Sequence, residues 1–276
     1  MKKLLRADLF RMFKSKMTLV LLILCAALPL LSALLMAGLR ALAGLAGETL
    51  TEIGILSANT QIGGAYSLST NVGLAIPVLA GTLVCTDFTN GTLRNKVVAG
   101  HERWKIYFSH LVVSMIFSVG FVTIYVLFTT GFSLLFLPYK SGFSSNDLRE
   151  FLFWAVTGTM GFVYISTVST FFAMTTRSMA PTILFTILTV FALTILTSSV
   201  SVTDYGKVRH LVYFIPTFSG RFFTLSNSIE ILIGQFLNGV SDSRELIFAE
   251  GILSFLTFGV ANTALGVILF CKRDLK

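Results

Sequence analysis

IYFSHLVVSMIFSVGFVTIYVLFTTGFSLLFL, residues 106–137, contains no Lys, Arg, Asp or Glu. At roughly 1.5 Å per residue it makes a helix of about 48 Å. That exceeds a hydrocarbon core of ~30 Å, so the helix must tilt or project beyond the membrane. Pro138 is expected to stop it, because a proline cannot continue the hydrogen-bond ladder. A stretch this long and apolar reads as a membrane helix.

The same signature recurs on both sides. Met17–Leu39, Ser67–Thr86, Phe151–Met174, Pro181–Val200 and Leu246–Cys271 are each long and almost free of charge, which gives six expected spans. The chain is 54% hydrophobic and 12% charged, against about 25% charged in a globular domain, too few polar side chains to coat a soluble fold. The alternation of lipid-facing barrel strands is missing, and continuous helices satisfy their own backbone in hydrocarbon. The expected fold is an all-α membrane protein, a single transmembrane domain over residues 1–276. Pro77 falls near the middle of the second span, where a kink is expected. Pro181 opens the fifth at a position suited to a first helical turn.

Charge sets the orientation. With both termini inside, Lys2, Lys3, Arg6, Arg11, Lys14, Lys16, Arg94, Lys96, Arg103, Lys105, Arg177, Lys272, Arg273 and Lys276, most of the 21 basic residues, share the cytoplasmic side. The formal net charge of +8 is then largely a rim facing anionic lipid, not a nucleic-acid surface. The first span is too long for a signal-peptide core and is expected to be retained. Cys25, Cys85 and Cys271 lie within spans or at their inner ends, which implies neither a disulfide framework nor a metal cluster.

Residues 1–16 place Leu5, Leu9, Met12 and Phe13 on one helical face, with Lys2, Arg6 and Lys14 largely elsewhere. This is the pattern of an amphipathic helix lying in the headgroup layer. The segment between spans five and six holds two interrupted apolar stretches, Leu211–Phe223 and Leu225–Val240, too short or too polar to cross. They are expected to form a re-entrant or interfacial outer region over residues 209–240.

Between the second and third spans lies DFTNGTLRNKVVAGHERWK, residues 87–105, the densest cluster of charge between two spans. Asn90 and Gly91 make a turn, and Thr92 is placed to cap a helix beginning at Leu93. Leu93, Val97 and Val98 form an apolar face beside Arg94, Asn95 and Lys96, and Gly100 ends the helix. A short amphipathic helix with nothing of its own to cover points to a groove on a partner. The competing reading is a solvated loop that only enforces topology.

The pattern D-x-x-N-G-T-L-R-N-K-x-x-A-G-x-x-R-x-x-I-Y-x-S over residues 87–109, the six-span layout, the amphipathic start and the closing Leu269–Leu275 resemble the permease subunits of type-2 ATP-binding-cassette exporters. The family commonly has Glu where this chain has Asp87. The resemblance implies that residues 91–103 are the coupling helix that docks on a separate ATPase. The implied contact residues are Asp87, Gly91, Thr92, Leu93, Arg94, Asn95, Lys96, Val97, Gly100 and Arg103. It also implies ATP and Mg on the ATPase, a second permease protomer, identical or paralogous, and a bacterial plasma membrane. It matches the outer region at 209–240 as well.

The chain has no G-x-x-x-x-G-K-[ST] loop to cradle phosphates, and neither H-E-x-x-H nor G-x-S-x-G occurs. It is expected to bind no cofactor and to be no enzyme itself. His101 and His110 lack a third ligand at a usable spacing, so no metal site is expected. Glu250, just inside the sixth span, and Pro77 are the candidates for a translocation path or outer gate. Gly158 and Gly161 would let the fourth span approach a neighbour closely. An ion-coupled carrier or channel, and a peptide-binding immunity or sensor protein, are the alternative functions. With so few charges in the spans, the expected cargo is hydrophobic or amphipathic: a peptide, drug or lipid.

Overall fold

A computed structural model of the chain describes residues 1–44, 47–48, 51, 56–66, 71–139, 145–203, 216 and 244–272. Among these residues every regular element is helical. They are α1 (Lys2–Lys14), α2 (Lys16–Ala43), α3 (Ala58–Ala65), α4 (Asn71–Thr89), α5 (Thr92–Val98), α6 (Arg103–Phe136), α7 (Ser145–Thr176), α8 (Met179–Thr203) and α9 (Arg244–Lys272). Apart from Pro216, the expected outer region at 209–240 lies outside the described residues.

Five helices among the described residues are long and apolar enough to cross a membrane: α2, α6, and the apolar portions of α7, α8 and α9. The second expected span, α4, qualifies only together with α5, from which it is bent by 67°. The polar run Thr89-Asn90-Gly91 accounts for that bend, because Gly91 adopts φ 67°, a left-handed conformation that a side chain resists. Pro77 lies inside α4, which continues through it.

The long apolar run becomes α6, 34 residues from Arg103 to Phe136. Leu137 turns extended, and the Pro138 carbonyl accepts a hydrogen bond of 3.1 Å from Ala58 at the start of α3. The expected stop is therefore also an anchor. In α7, Gly158 lies where a Cβ would come within 2.7 Å of Tyr66, so the bare backbone lets α3 and α7 meet.

α6 and α7 form the centre. In their most apolar stretches 50% and 53% of residues are buried within the chain, against 22% in α2, 17% in α9 and 11% in α8. The outer three therefore present apolar faces to lipid or to other chains, as membrane helices do. Around the centre runs one apolar cluster that includes Ile76, Leu79, Phe117, Phe121, Phe162 and Ile165. A second cluster gathers Val84, Leu93, Ile106, Tyr107, Met174 and Phe270 beneath α5.

Candidate functional site

α5 hangs at the end of the bundle where α1 also lies. The helix starts at Thr92 with Gly91 as its N-terminal flank, one residue earlier than the capping pattern suggests. Thr92 does not cap it. Its hydroxyl donates to the Asp87 carboxylate, tying the turn back onto α4. The helix ends at Val98, and Gly100, at φ 82°, makes the left-handed exit before α6. The coupling segment expected over 91–103 is thus a seven-residue helix followed by a turn, and Arg103 already belongs to α6.

The two faces of α5 differ sharply. Leu93 is 2% exposed in the cluster beneath the helix, and Val97 packs against that cluster. Arg94 and Asn95 are exposed, and Val98 is 79% exposed. The expectation that this helix has nothing of its own to cover is therefore corrected: it covers the inner cluster, and only Val98 of its apolar side chains faces outward.

Lys96 points inward, and around it the chain assembles a charge cluster from four helices. Its ammonium donates to Asp8 of α1 at 2.9 Å and to Asp87 of α4 at 2.7 Å. Both carboxylates are buried, Asp8 at 2% exposure and Asp87 at 0%. Arg11 of α1 pairs with Asp87, lies 3.5 Å from Asp8 and donates to the Leu83 carbonyl at 3.2 Å. From α6, Ser109 donates to Asp8 at 2.8 Å. His110 Nε2 lies 3.2 Å from Asp87 and 3.5 Å from Lys96, so it serves one of them at a time, as donor to the carboxylate or acceptor from the ammonium. Two carboxylates against two cations leave the cluster neutral when the imidazole is neutral. That balance is the condition under which buried charges persist.

The electrostatics follow the geometry. Burial works against the charged form of Asp8, but His110, Lys96 and Ser109 together outweigh it, and the carboxyl lies below its usual value. Burial lowers the Lys96 ammonium, with Asp8 opposing that shift and Arg11 adding to it. Asp8, Asp87 and His110 also bring three ligand-type atoms within 4.8 Å of one another. Sequence spacing had paired His110 with no third ligand, because Asp8 is far away along the chain. Two carboxylates and an imidazole could serve a divalent metal, yet the space between them already holds the Lys96 ammonium as a tethered cation.

Other expectations fare differently. The buried stripe of α1 is Leu4, Asp8 and Met12, whereas Phe13, assigned to the apolar face, is 74% exposed with its ring 5.0 Å from that of Phe117. Glu250 is half-buried near the start of α9, and Pro77 sits within α4; neither belongs to the charge cluster. Asp8, Arg11, Ser109 and His110 are the members that sequence reasoning missed. An Asp in the middle of an otherwise basic and apolar N-terminal helix was the one signal available. No family model matches the chain, and no curated protein matches it.

Proposed function

We propose that the chain is the membrane-spanning permease subunit of an ATP-driven exporter, with α5 as the helix on which a separate ATPase pushes. In this reading α4 completes the six crossings and α1 lies in the headgroup layer. Two such subunits, identical or paralogous, work with two ATPases that hold ATP and Mg, and the cargo is hydrophobic or amphipathic. The observation that carries the reading is the seating of α5. Leu93 and Lys96 fix it to the bundle, while Arg94, Asn95 and Val98 face outward as a small cationic and apolar surface. A lever needs both properties: a rigid hold on what it moves and a free face for what moves it. Only a contact that differs between the two ATPase states shifts the bundle.

The charge cluster favours one alternative, an ion-coupled carrier, since buried carboxylates and a histidine are the groups from which proton relays are made. The two readings separate on the partner. Affinity purification of the tagged chain from its native membrane is expected to bring down an ATP-hydrolysing protein. Arg94→Ala and Val98→Asp alter only the outward face, so they should abolish ATP-driven transport while leaving helix content and melting unchanged. Deleting Gly91–Val98 is no substitute, because it removes Leu93 and Lys96 from the interior. If no ATPase co-purifies, or if both variants transport normally, the proposal falls and the carrier reading takes its place.

A further inference from the structure

A groove of about 640 Å³ runs between α6, α7 and α9, and its lining is almost wholly apolar. Phe108, Leu111 and Met115 of α6 form one wall, Tyr164 contributes from α7, and Gly259 and Val267 lie on α9. Along α9 the lining extends from Phe255 to Ile268, about 20 Å of helix. One leaflet of a ~30 Å hydrocarbon core is ~15 Å deep. The groove therefore has the reach of a single acyl chain, on a flank of the bundle away from the charge cluster.

One end of the groove is marked by chemistry suited to a headgroup. Phe108, which lines it, meets Trp104 edge-on with ring centroids 6.1 Å apart, and the Lys105 ammonium lies 5.2 Å above the Trp104 ring. Arg103 donates to the Cys271 carbonyl at 3.0 Å, which draws the start of α6 to the end of α9 and brings the exposed Lys272 to the same rim. Against these three cations stands Glu102, 3.1 Å from Lys105, so among the described residues the rim keeps a positive balance. Trp and Lys at the mouth of an apolar channel form the pattern of a membrane–water interface, with cations placed to meet phosphate.

We propose that this groove is a binding site for one anionic phospholipid, with an acyl chain between α6, α7 and α9 and the phosphate at the rim formed by Lys105 and Lys272. The lipid is a resident of the leaflet on the Trp104 side and is distinct from any exported cargo. The site is independent of the exporter reading, since it requires only that the helices lie in a bilayer.

Gly259 suits the test: it lines the groove, and a Cβ there meets nothing within 4 Å, so a substituted side chain starts into open space. The full chain, purified in mild detergent, would be titrated with phosphatidylglycerol and with phosphatidylcholine of the same acyl chains and read by native mass spectrometry. The wild type is expected to hold one phosphatidylglycerol in preference to phosphatidylcholine. Gly259→Phe should lose both lipids, and Val260→Trp, placing bulk in the same groove, carries the test if the first variant fails to fold. Lys105→Ala with Lys272→Ala should keep phosphatidylcholine but bind phosphatidylglycerol more weakly by on the order of ten-fold, a few-fold for each cation. Undiminished lipid binding by the groove-filling variants overturns the proposal. So does an unchanged lipid preference in the double alanine variant. Loss of a dimer peak from the groove-filling variants, with lipid unaffected, would give the groove to a second copy of the chain and overturns it equally.

Discussion

Lys96 is the residue on which the charge cluster turns, because its ammonium holds both carboxylates closely, Asp8 at 2.9 Å and Asp87 at 2.7 Å. Replacing it with Met keeps the length of the side chain and removes the ammonium. Asp87 would retain Arg11, but Asp8 would keep only the distant edge of Arg11, the Ser109 hydroxyl and the His110 ring. Stranding a buried carboxylate costs about 3–5 kcal/mol, so Lys96→Met should lower the thermal midpoint in detergent markedly. Adding Asp8→Asn should recover much of the loss, because it neutralises the stranded group; a double variant as unstable as the single would show that Lys96 acts through something other than charge. Acid provides an independent reading. The Asp8 carboxyl is lowered on folding, so its contribution is fully present above the ordinary value of 3.8 and disappears as pH falls through the lower folded value. Below about pH 4 the wild type should lose stability more steeply than Asp8→Asn, which lacks that carboxyl's titration.

At the scale of elements, the clearest constraint lies between α6 and α9. A Cβ on Gly266 would overlap the Tyr107 ring, its Cζ at 2.7 Å, and the buried Tyr107 hydroxyl has no hydrogen-bond partner among the described residues. Gly266→Ala should therefore force the helices apart and destabilise by about 1–3 kcal/mol, the usual cost of overpacking. Tyr107→Phe removes an unsatisfied buried group and should be neutral or stabilising; differential scanning of the two variants checks both signs. Here too the limits of the sequence become physical. The long helices were legible, since length and hydropathy decide them locally, but the faces of α5 were legible only in part: Leu93 and Val97 turn to the inner cluster as their spacing implies, whereas Val98, grouped with them, is exposed. The inward turn of Lys96 was not legible, because it depends on carboxylates supplied by α1 and α4, and periodicity within one helix carries no information about a partner from another. The same reason explains α1. Its apolar pattern pointed to Leu5, Leu9, Met12 and Phe13; Met12 is buried and Leu5 and Leu9 pack against the core, but Phe13 is exposed and the polar Asp8 is buried between Leu4 and Met12, drawn in by cations that the pattern does not see. Thr92 looked like a cap because a hydroxyl at a helix start usually caps, but a charged acceptor one turn away is the stronger partner for it.

For the whole molecule, the decisive arrangement is that basic side chains from four parts of the chain make their contacts at one end of the bundle. Arg11 reaches α4, Lys96 reaches α1, Arg103 reaches the end of α9, and Arg177, in the turn between α7 and α8, lies 5.6 Å over the Phe88 ring. If the positive-inside bias governs insertion, that end faces the cytoplasm, which is the side where an ATPase would have to sit. Cysteine chemistry tests this without reference to any partner. Cys25 and Cys85 are buried, whereas Cys271 is exposed at the basic end. A membrane-impermeant maleimide should label Cys271 in inside-out vesicles and spare it in right-side-out ones, with the other two unreacted in both. In a Cys271→Ser background, Val98→Cys on α5 should follow the same pattern, because α5 and the end of α9 flank the same inner cluster. Labelling of the two positions from opposite sides would break the fold itself. Labelling of both from outside would leave the fold standing and remove the exporter reading, since α5 would then face a compartment that holds no ATP.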